Sequence, residues 1–354
     1  MLDREKPPPT LAEVARAAQV HISTASRVLH AADDGRRAAS AATAERIRTV
    51  ARDLGYQRDP TALRLRTGHS QEIAVIVPRL SDLVLATMYE GLQQRAATEG
   101  YTTYVSNSQD DQQLREQFTE AALSRRVDGF IFGDATLDPT FLDGLRRRSV
   151  PVVLVNRRSG DHVSSTGDDR RGGQLVAEHF SALGHTDCAV VGGRPWASTS
   201  ADRGAGFVER MAQLGHPVPP ERVIQTGFDA EAGATAAATL LRSPGRAPTA
   251  IFAVNDFTAI GAMGAVRAAG REIGRDVAVA GYNDTPLAAL LPLPLTSVRS
   301  PMAEIGREAA TLLIRSLRGE SVQSRVFAPE LMVRESTDPS GTAAAGRTDV
   351  VEAP

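Results

Sequence analysis

The 354-residue chain is 42% hydrophobic and 23% charged, the composition of a globular protein too long for one ordinary domain, so two or three folding units are expected. No apolar run approaches the roughly eighteen residues of a membrane span, and the opening Met1-Leu-Asp-Arg-Glu-Lys-Pro-Pro-Pro is charged and then proline-rich, which speaks against an export signal and for the cytoplasm. Cys188 is the only cysteine, which excludes an intrachain disulfide and a thiolate metal cluster.

The net charge of −2 hides a division. Residues 1–70 carry twelve Lys and Arg against eight Asp and Glu, and the remainder carries 28 against 34. A basic head on an acidic body suits a head that meets phosphates.

After a flexible start over residues 1–9, Thr10-Leu-Ala-Glu-Val-Ala-Arg-Ala-Ala can open a helix, with Thr10 as N-cap and Glu13 completing a capping box. A second helix, about Ile22 to Leu29, turns Ala25, Val28 and Leu29 inward and Ser23, Thr24 and Arg27 outward. Two short helices across a tight turn, the second exposing small polar residues and an arginine, match a helix-turn-helix whose second helix reads DNA. A third helix runs from Ser40 or Thr43 to Leu54, with Ile47, Val50, Ala51 and Leu54 on its apolar face and Gly55 as its stop.

From Ile73 the pattern changes to short β-rich runs alternating with helices. The runs are Ile73 to Pro78, Tyr101 to Ser106, Phe130 to Phe132, Pro151 to Val155, Cys188 to Gly192, Ala250 to Ala253 and Val277 to Gly281; Leu83 to Glu99 and Asp256 to Ala269 are among the helices. This is the signature of doubly wound parallel sheets, with too many strands for one sheet. The expected architecture is an α/β sensor of two parallel-sheet subdomains with a ligand cleft at the carboxyl ends of their strands, preceded by the small all-α head.

Taken together, Thr10-Leu-Ala-Glu-Val-Ala-Arg-Ala-Ala-Gln-Val-His-Ile-Ser-Thr-Ala-Ser-Arg-Val-Leu-His resembles the opening of the LacI/GalR family of bacterial transcription regulators. The likeness runs from about Thr10 to Glu335 and includes Val127-Asp-Gly-Phe-Ile, Gly184-His185, Ala253-Val-Asn255-Asp256 and Gly281-Tyr-Asn283-Asp284. It implies a sequence-specific repressor that binds a pseudo-palindromic operator as a homodimer and answers to a small molecule, sugar-like in the first instance. Neither an enzyme nor a cofactor is implied, and the sensor fold resembles periplasmic sugar-binding proteins. A solute receptor of the same fold is the alternative, disfavoured by the head and the missing signal peptide.

Carried onto this chain, the resemblance makes Ile22, Ser23 and Arg27 base-reading positions and Thr24 and Ser26 groove-edge or phosphate contacts, with Thr10 joining the DNA-binding set. Gly55 to Gly68 resembles the family hinge, and Leu65 takes the place of the leucine that wedges into the minor groove. Three departures stand out: Gln19 for the turn glycine, His21 for the serine that caps the reading helix, and a lengthened loop over Ala31 to Ala38 that either touches phosphate or lies in solvent.

For the effector the candidate lining is Asp82, Arg157, Arg203, Asn255, Asp256, Asn283 and Ser300, with Trp196, the only tryptophan, in the loop leading to Arg203. Asn255 and Asp256 could equally cap their own helix, and Trp196 could serve as a stacking surface or pack on the rim. The implied boundaries are 10–57 for the head, 58–70 for the hinge, 71–335 for the sensor and 336–354 for a disordered tail, with crossings between subdomains near Ser159, Val298 and Arg325.

Overall fold

The computed structural model describes residues 9–30, 39–56, 69–243 and 246–338. The lengthened loop at 31–38, the hinge with Leu65 and the last sixteen residues, 339–354, lie outside them. The described residues form two compact units, divided at Ser70.

In the head, α1 (Leu11–Ala17) begins with the expected capping box: Glu13 N–H donates to Thr10 Oγ1 at 3.3 Å, and Thr10 N–H donates to Glu13 Oε2 at 2.7 Å. It ends in a left-handed residue, Gln19 (φ 53°), closed by Val20 N–H to Ala15 O at 3.0 Å and Gln19 N–H to Arg16 O at 3.1 Å. That is the Schellman pattern with glutamine where glycine is usual. Helix α2 spans Ile22–His30 and α3 spans Ala41–Asp53, capped by Ser40. Gly55 (φ 69°) stops α3 by the same motif, with Tyr56 N–H to Ala51 O at 2.8 Å. Val14, Ala15, Ala18, Ala25, Ile47 and Ala51 form the small core, rimmed by Leu11, Val20, Val28, Leu29, Val50 and Tyr56. Leu54, expected on the apolar face, is instead 42% exposed, because it sits at the C-cap where the chain leaves the helix.

The body holds two six-stranded sheets. The first contains β1 (Glu72–Val77), β2 (Thr102–Asn107), β3 (Gly129–Phe132), β4 (Val152–Val155), β5 (Ser164–Gly167) and β11 (Arg325–Phe327), in the order β11-β5-β4-β3-β1-β2, all parallel. The second contains β6 (Cys188–Gly192), β7 (Val223–Gln225), β8 (Ala250–Ala253), β9 (Ala278–Asn283), β10 (Thr296–Arg299) and β12 (Glu330–Met332), in the order β12-β10-β9-β8-β6-β7. Only β12 runs antiparallel to its neighbour in that sheet. Strand order reverses between β1 and β3 and between β6 and β8, and at such switch points the carboxyl ends of parallel strands open a crevice.

Helices α4 (Leu83–Thr98), α5 (Gln112–Ser124), α6 (Thr140–Arg147) and α12 (Met302–Leu317) belong with the first sheet, and α7 (Asp169–Ala182), α8 (Ser198–Gln213), α9 (Ala230–Arg242), α10 (Asp256–Ala268) and α11 (Pro286–Leu290) with the second. Three helix pairs approach so closely that a Cβ on either partner would strike backbone: Gly91 and Gly306 join α4 to α12, Gly173 and Gly206 join α7 to α8, and Gly233 and Gly261 join α9 to α10.

Two expectations are corrected. The chain leaves the first sheet after Gly167 rather than near Ser159, because Ser164–Gly167 forms a strand that carries no apolar run to betray it; the later crossings follow Arg299 and Phe327. The body also continues past residue 335. Ser336 Oγ donates to Val279 O at 2.6 Å and accepts from Thr296 N–H at 2.8 Å, and Ser336 and Thr337 are buried, so residues 336–338 belong to the body.

Candidate reading helix and inter-subdomain cleft

On α2, Ile22 is 45% exposed although aliphatic, and Ser23 and Arg27 are exposed beside it. Thr24 and Ser26 on the same helix are half-buried, and Thr10 is exposed at the cap of α1. His21 does not leave the helix start uncapped, as loss of the serine suggested: Ser23 N–H donates to His21 Nδ1 at 3.3 Å, and Ser23 Oγ lies 2.7 Å from the same nitrogen. Arg27 folds back along its helix, with Nε donating to Ser23 O at 3.2 Å. A rotamer change would free its fork for a base edge.

In the body, the loops at the carboxyl ends of both sheets meet in a cleft lined by Arg79, Asp82, Asp110, Asn156, Arg157, Thr199, Arg203, Phe228, Asn255 and Asn283 among others. Asp82 caps α4 by accepting from Val84 N–H at 3.0 Å, and burial raises its carboxyl above the usual carboxylate range, opposed by that bond and by Arg79, Arg157 and Arg203. Arg157 comes from the first subdomain. It lies 5.3 Å over Trp196 and 5.6 Å over Phe228, both from the second, and forks onto Asp110 at 2.6 and 3.3 Å. Trp196 thus carries a guanidinium on its face, while its carbonyl accepts from Leu137 N–H at 2.9 Å.

Arg203 is buried and largely committed: Nε donates to Asp169 at 2.7 Å, Nη1 donates to Val254 O at 2.8 Å, and its plane lies 3.7 Å over Tyr282. Asn255 lines the cleft but spends its side chain on structure, accepting from Thr258 N–H at 2.8 Å to cap α10 and donating to Phe228 O at 2.9 Å. Asp256 points away from the cleft space. It accepts from Ser297 Oγ at 2.5 Å, Thr285 N–H at 2.7 Å and Thr285 Oγ1 at 2.9 Å, and burial pushes its carboxyl up to about 6. Ser300 is likewise buried away from the lining, its N–H donating to Asn283 O at 3.4 Å and its carbonyl accepting from Met302 N–H at 2.8 Å. Asn283 does face the cleft, and its buried Oδ1 has no partner among the described residues.

The sequence reading missed Asp110, Phe228, Asn156, Arg79 and Thr199. One signal is conformational: Gln109, Asp110, Asn156, Asn283 and Asp284 all have left-handed backbone, with φ from 52° to 101°. Such residues gather where surrounding structure holds side chains in set positions for a ligand or a switch. A separate grouping of Asp143, Asp161 and His162 is already bridged by Arg146, at 2.6 Å to Asp143 and 2.8 Å to Asp161.

The comparisons with known proteins meet this geometry at both ends. Residues 10–59 match the model of bacterial regulatory proteins of the lacI family, and residues 177–337 match that of a periplasmic binding protein-like domain. The transcriptional regulator DegA of Bacillus subtilis is 31% identical over 342 residues, covering 94% of this chain and 99% of its own. The chain belongs to the LacI family of DNA-binding transcriptional regulators. Among solved structures, the lac repressor dimer bound to operator and the anti-inducer ONPF superposes with a TM-score of 0.82 at 25% identity, covering 94% of this chain and 99% of that one. The CelR–cellobiose complex gives 0.71 at 28% identity, covering 93% and 99%. Among the described residues no helix is long and apolar enough to cross a membrane.

Proposed function

We propose that this LacI-family regulator is a repressor that binds a pseudo-palindromic operator as a homodimer, reads bases with Ile22, Ser23 and Arg27, and is controlled by a saccharide bound between its two subdomains. The observation that carries the DNA half is the exposed face of α2, where an aliphatic residue, a serine and an arginine share one solvent-facing stripe. Arginine can pair bidentately with guanine O6 and N7, and an exposed isoleucine suits a thymine methyl. Thr10, Thr24 and Ser26 flank that stripe as phosphate and groove-edge contacts, and Leu65 supplies the minor-groove wedge.

Support for the effector half is the position of the cleft at the switch points of the two sheets, with the Phe228 ring and the amide groups of Asn156, Asn255 and Asn283 in its lining. A relative of similar fold was solved with cellobiose. Within the candidate set, Asp82, Trp196 and Asn283 are the residues proposed to meet the ligand, and Arg157 spans the cleft beside them. Arg203 and Asn255 shape the wall, and Asp256 and Ser300 support it from behind. The effector acts by preferring one arrangement of the subdomains over another, which is what coupling to DNA affinity requires.

The test is a thermal-shift screen of the full chain against mono- and disaccharides, sugar phosphates, nucleosides and organic acids, with each hit titrated into the protein on DNA. A saccharide that stabilises the protein and changes its DNA affinity supports the reading. Stabilisation only by another class replaces the saccharide.

A further inference from the structure

The cleft is crossed by a side chain that has the attributes of a bound ligand. Arg157 is 3% exposed, belongs to the first subdomain, and sets its guanidinium against the rings of both Trp196 and Phe228 of the second. Asp110 accepts from both terminal nitrogens, and Nε is buried with no partner among the described residues. The backbone is left-handed at Asp110 (φ 57°) and at Asn156 (φ 68°), the neighbour of Arg157, so one end of this ion pair sits on a left-handed residue and the other directly follows one. With the guanidinium in place the cleft has about 40 Å3 of free volume, room for a few waters at roughly 10–15 Å3 each and far below the roughly 300–1,000 Å3 of ordinary ligand pockets.

We infer that Arg157 is an internal occupant of the effector slot, a latch that draws the two subdomains together from within the chain, and that a ligand enters by displacing it. The inference rests on the cleft being the effector site, as proposed above. It also narrows what the ligand must be. Once the guanidinium leaves, the slot offers two aromatic faces and a row of acceptors: the Asp110 and Asp82 carboxylates and the unpartnered Asn283 Oδ1. The remaining cations are engaged, Arg203 by Asp169 and Val254 O, and Arg79 by Asp229 at 3.8 Å. A donor-rich, non-anionic compound with a flat or apolar face fits that lining, whether polyol ring or delocalised cation. A phosphate or polycarboxylate would face two carboxylates in a site of low dielectric.

Trp196 is the only tryptophan, so its fluorescence reports the slot directly. In the full-length protein, Arg157→Ala is expected to raise acrylamide quenching of that emission by about two-fold or more, as the cation leaves the ring face. Methylguanidinium chloride, against sodium chloride of equal ionic strength, is expected to reverse the change saturably, and sodium malonate to leave it unchanged. Asp110→Asn releases the latch from its other partner and should raise quenching by itself, which keeps the test intact if Arg157→Ala does not fold. In the double variant the rescue by methylguanidinium should be lost. Unchanged quenching in Asp110→Asn and in a folded Arg157→Ala would overturn the latch, and so would rescue by malonate as effective as that by methylguanidinium. These measurements contain no effector, so a protein that passes them and binds no saccharide retains the latch and refutes only the saccharide reading.

Discussion

Arg203 donates to Asp169 at 2.7 Å with both side chains buried, and this pair ties α8 to the first turn of α7. An arginine that the sequence placed among effector contacts is therefore also a structural member of the second subdomain. Breaking a buried ion pair by removing one partner strands the other charge, at roughly 3–5 kcal/mol. Arg203→Ala should lower the unfolding free energy of the body by that order, seen as a fall in the urea midpoint, and Arg203→Met combined with Asp169→Leu should recover much of the loss. A single substitution without measurable effect on the midpoint would show the pair to be dispensable.

Asp256 gives a pH dependence whose sign follows from its burial. Its folded value of about 6 lies above the roughly 3.9 of an unfolded aspartate, so the folded state holds the extra proton between those values. The stabilising contribution is fully present below the unfolded value and is lost as pH rises through the folded one. Asp256→Asn removes this titration. Relative to that variant, the wild type should lose stability on the order of 2 kcal/mol between pH 4 and pH 7, read as the difference in urea unfolding free energy at the two pH values. A constant difference would place the carboxyl at its ordinary value.

Gln19 occupies the left-handed position that closes α1. A non-glycine residue there costs roughly 1–2 kcal/mol, whereas glycine costs about 0.5–1 kcal/mol in unfolded-chain entropy. The first effect is larger, so Gln19→Gly should stabilise the head by up to about 1 kcal/mol. Slower amide exchange across α1 and α3 in the full chain is the expected result.

Cys188 lies within β6 at 1% exposure, and burial pushes its thiol up to about 12. With little thiolate at neutral pH and no access, the native protein should not react with a disulfide reagent on the timescale of minutes, and should release one equivalent of thiol product only on unfolding. Rapid reaction of the native chain would mean that the strand opens.

Much of this molecule was legible because its signals are local. The capping box at Thr10 and Glu13, the periodicity of α3 and the apolar strands β1, β3, β4, β6 and β8 each announce themselves within a few residues. Strand β5, Ser-Ser-Thr-Gly, carries no such run; its place is set by pairing with β4 and β11, which the sequence does not display. The cleft too is set by distant partners. Arg157, Asn283 and Arg203 were named from the sequence and its family resemblance, but whether a side chain faces ligand space or the interior depends on partners far along the chain. Asp256 is turned inward by Ser297, and Arg157 is drawn across the cleft by Trp196 and Phe228. Asp110 had no motif to mark it; a left-handed backbone and a distant arginine make it part of the site.

Sequence-specific reading by α2 is tested most directly by selecting bound duplexes from a random library with the full-length protein, then measuring affinity for the selected site and a scrambled duplex at one fixed salt concentration, for wild type and Arg27→Ala. Wild type should enrich a pseudo-palindrome, and Arg27→Ala should lower the ratio of specific to scrambled affinity by roughly ten-fold or more while changing scrambled binding little. An unchanged ratio in the variant, or no enriched sequence with wild type, would contradict the assignment of α2 as the reading helix.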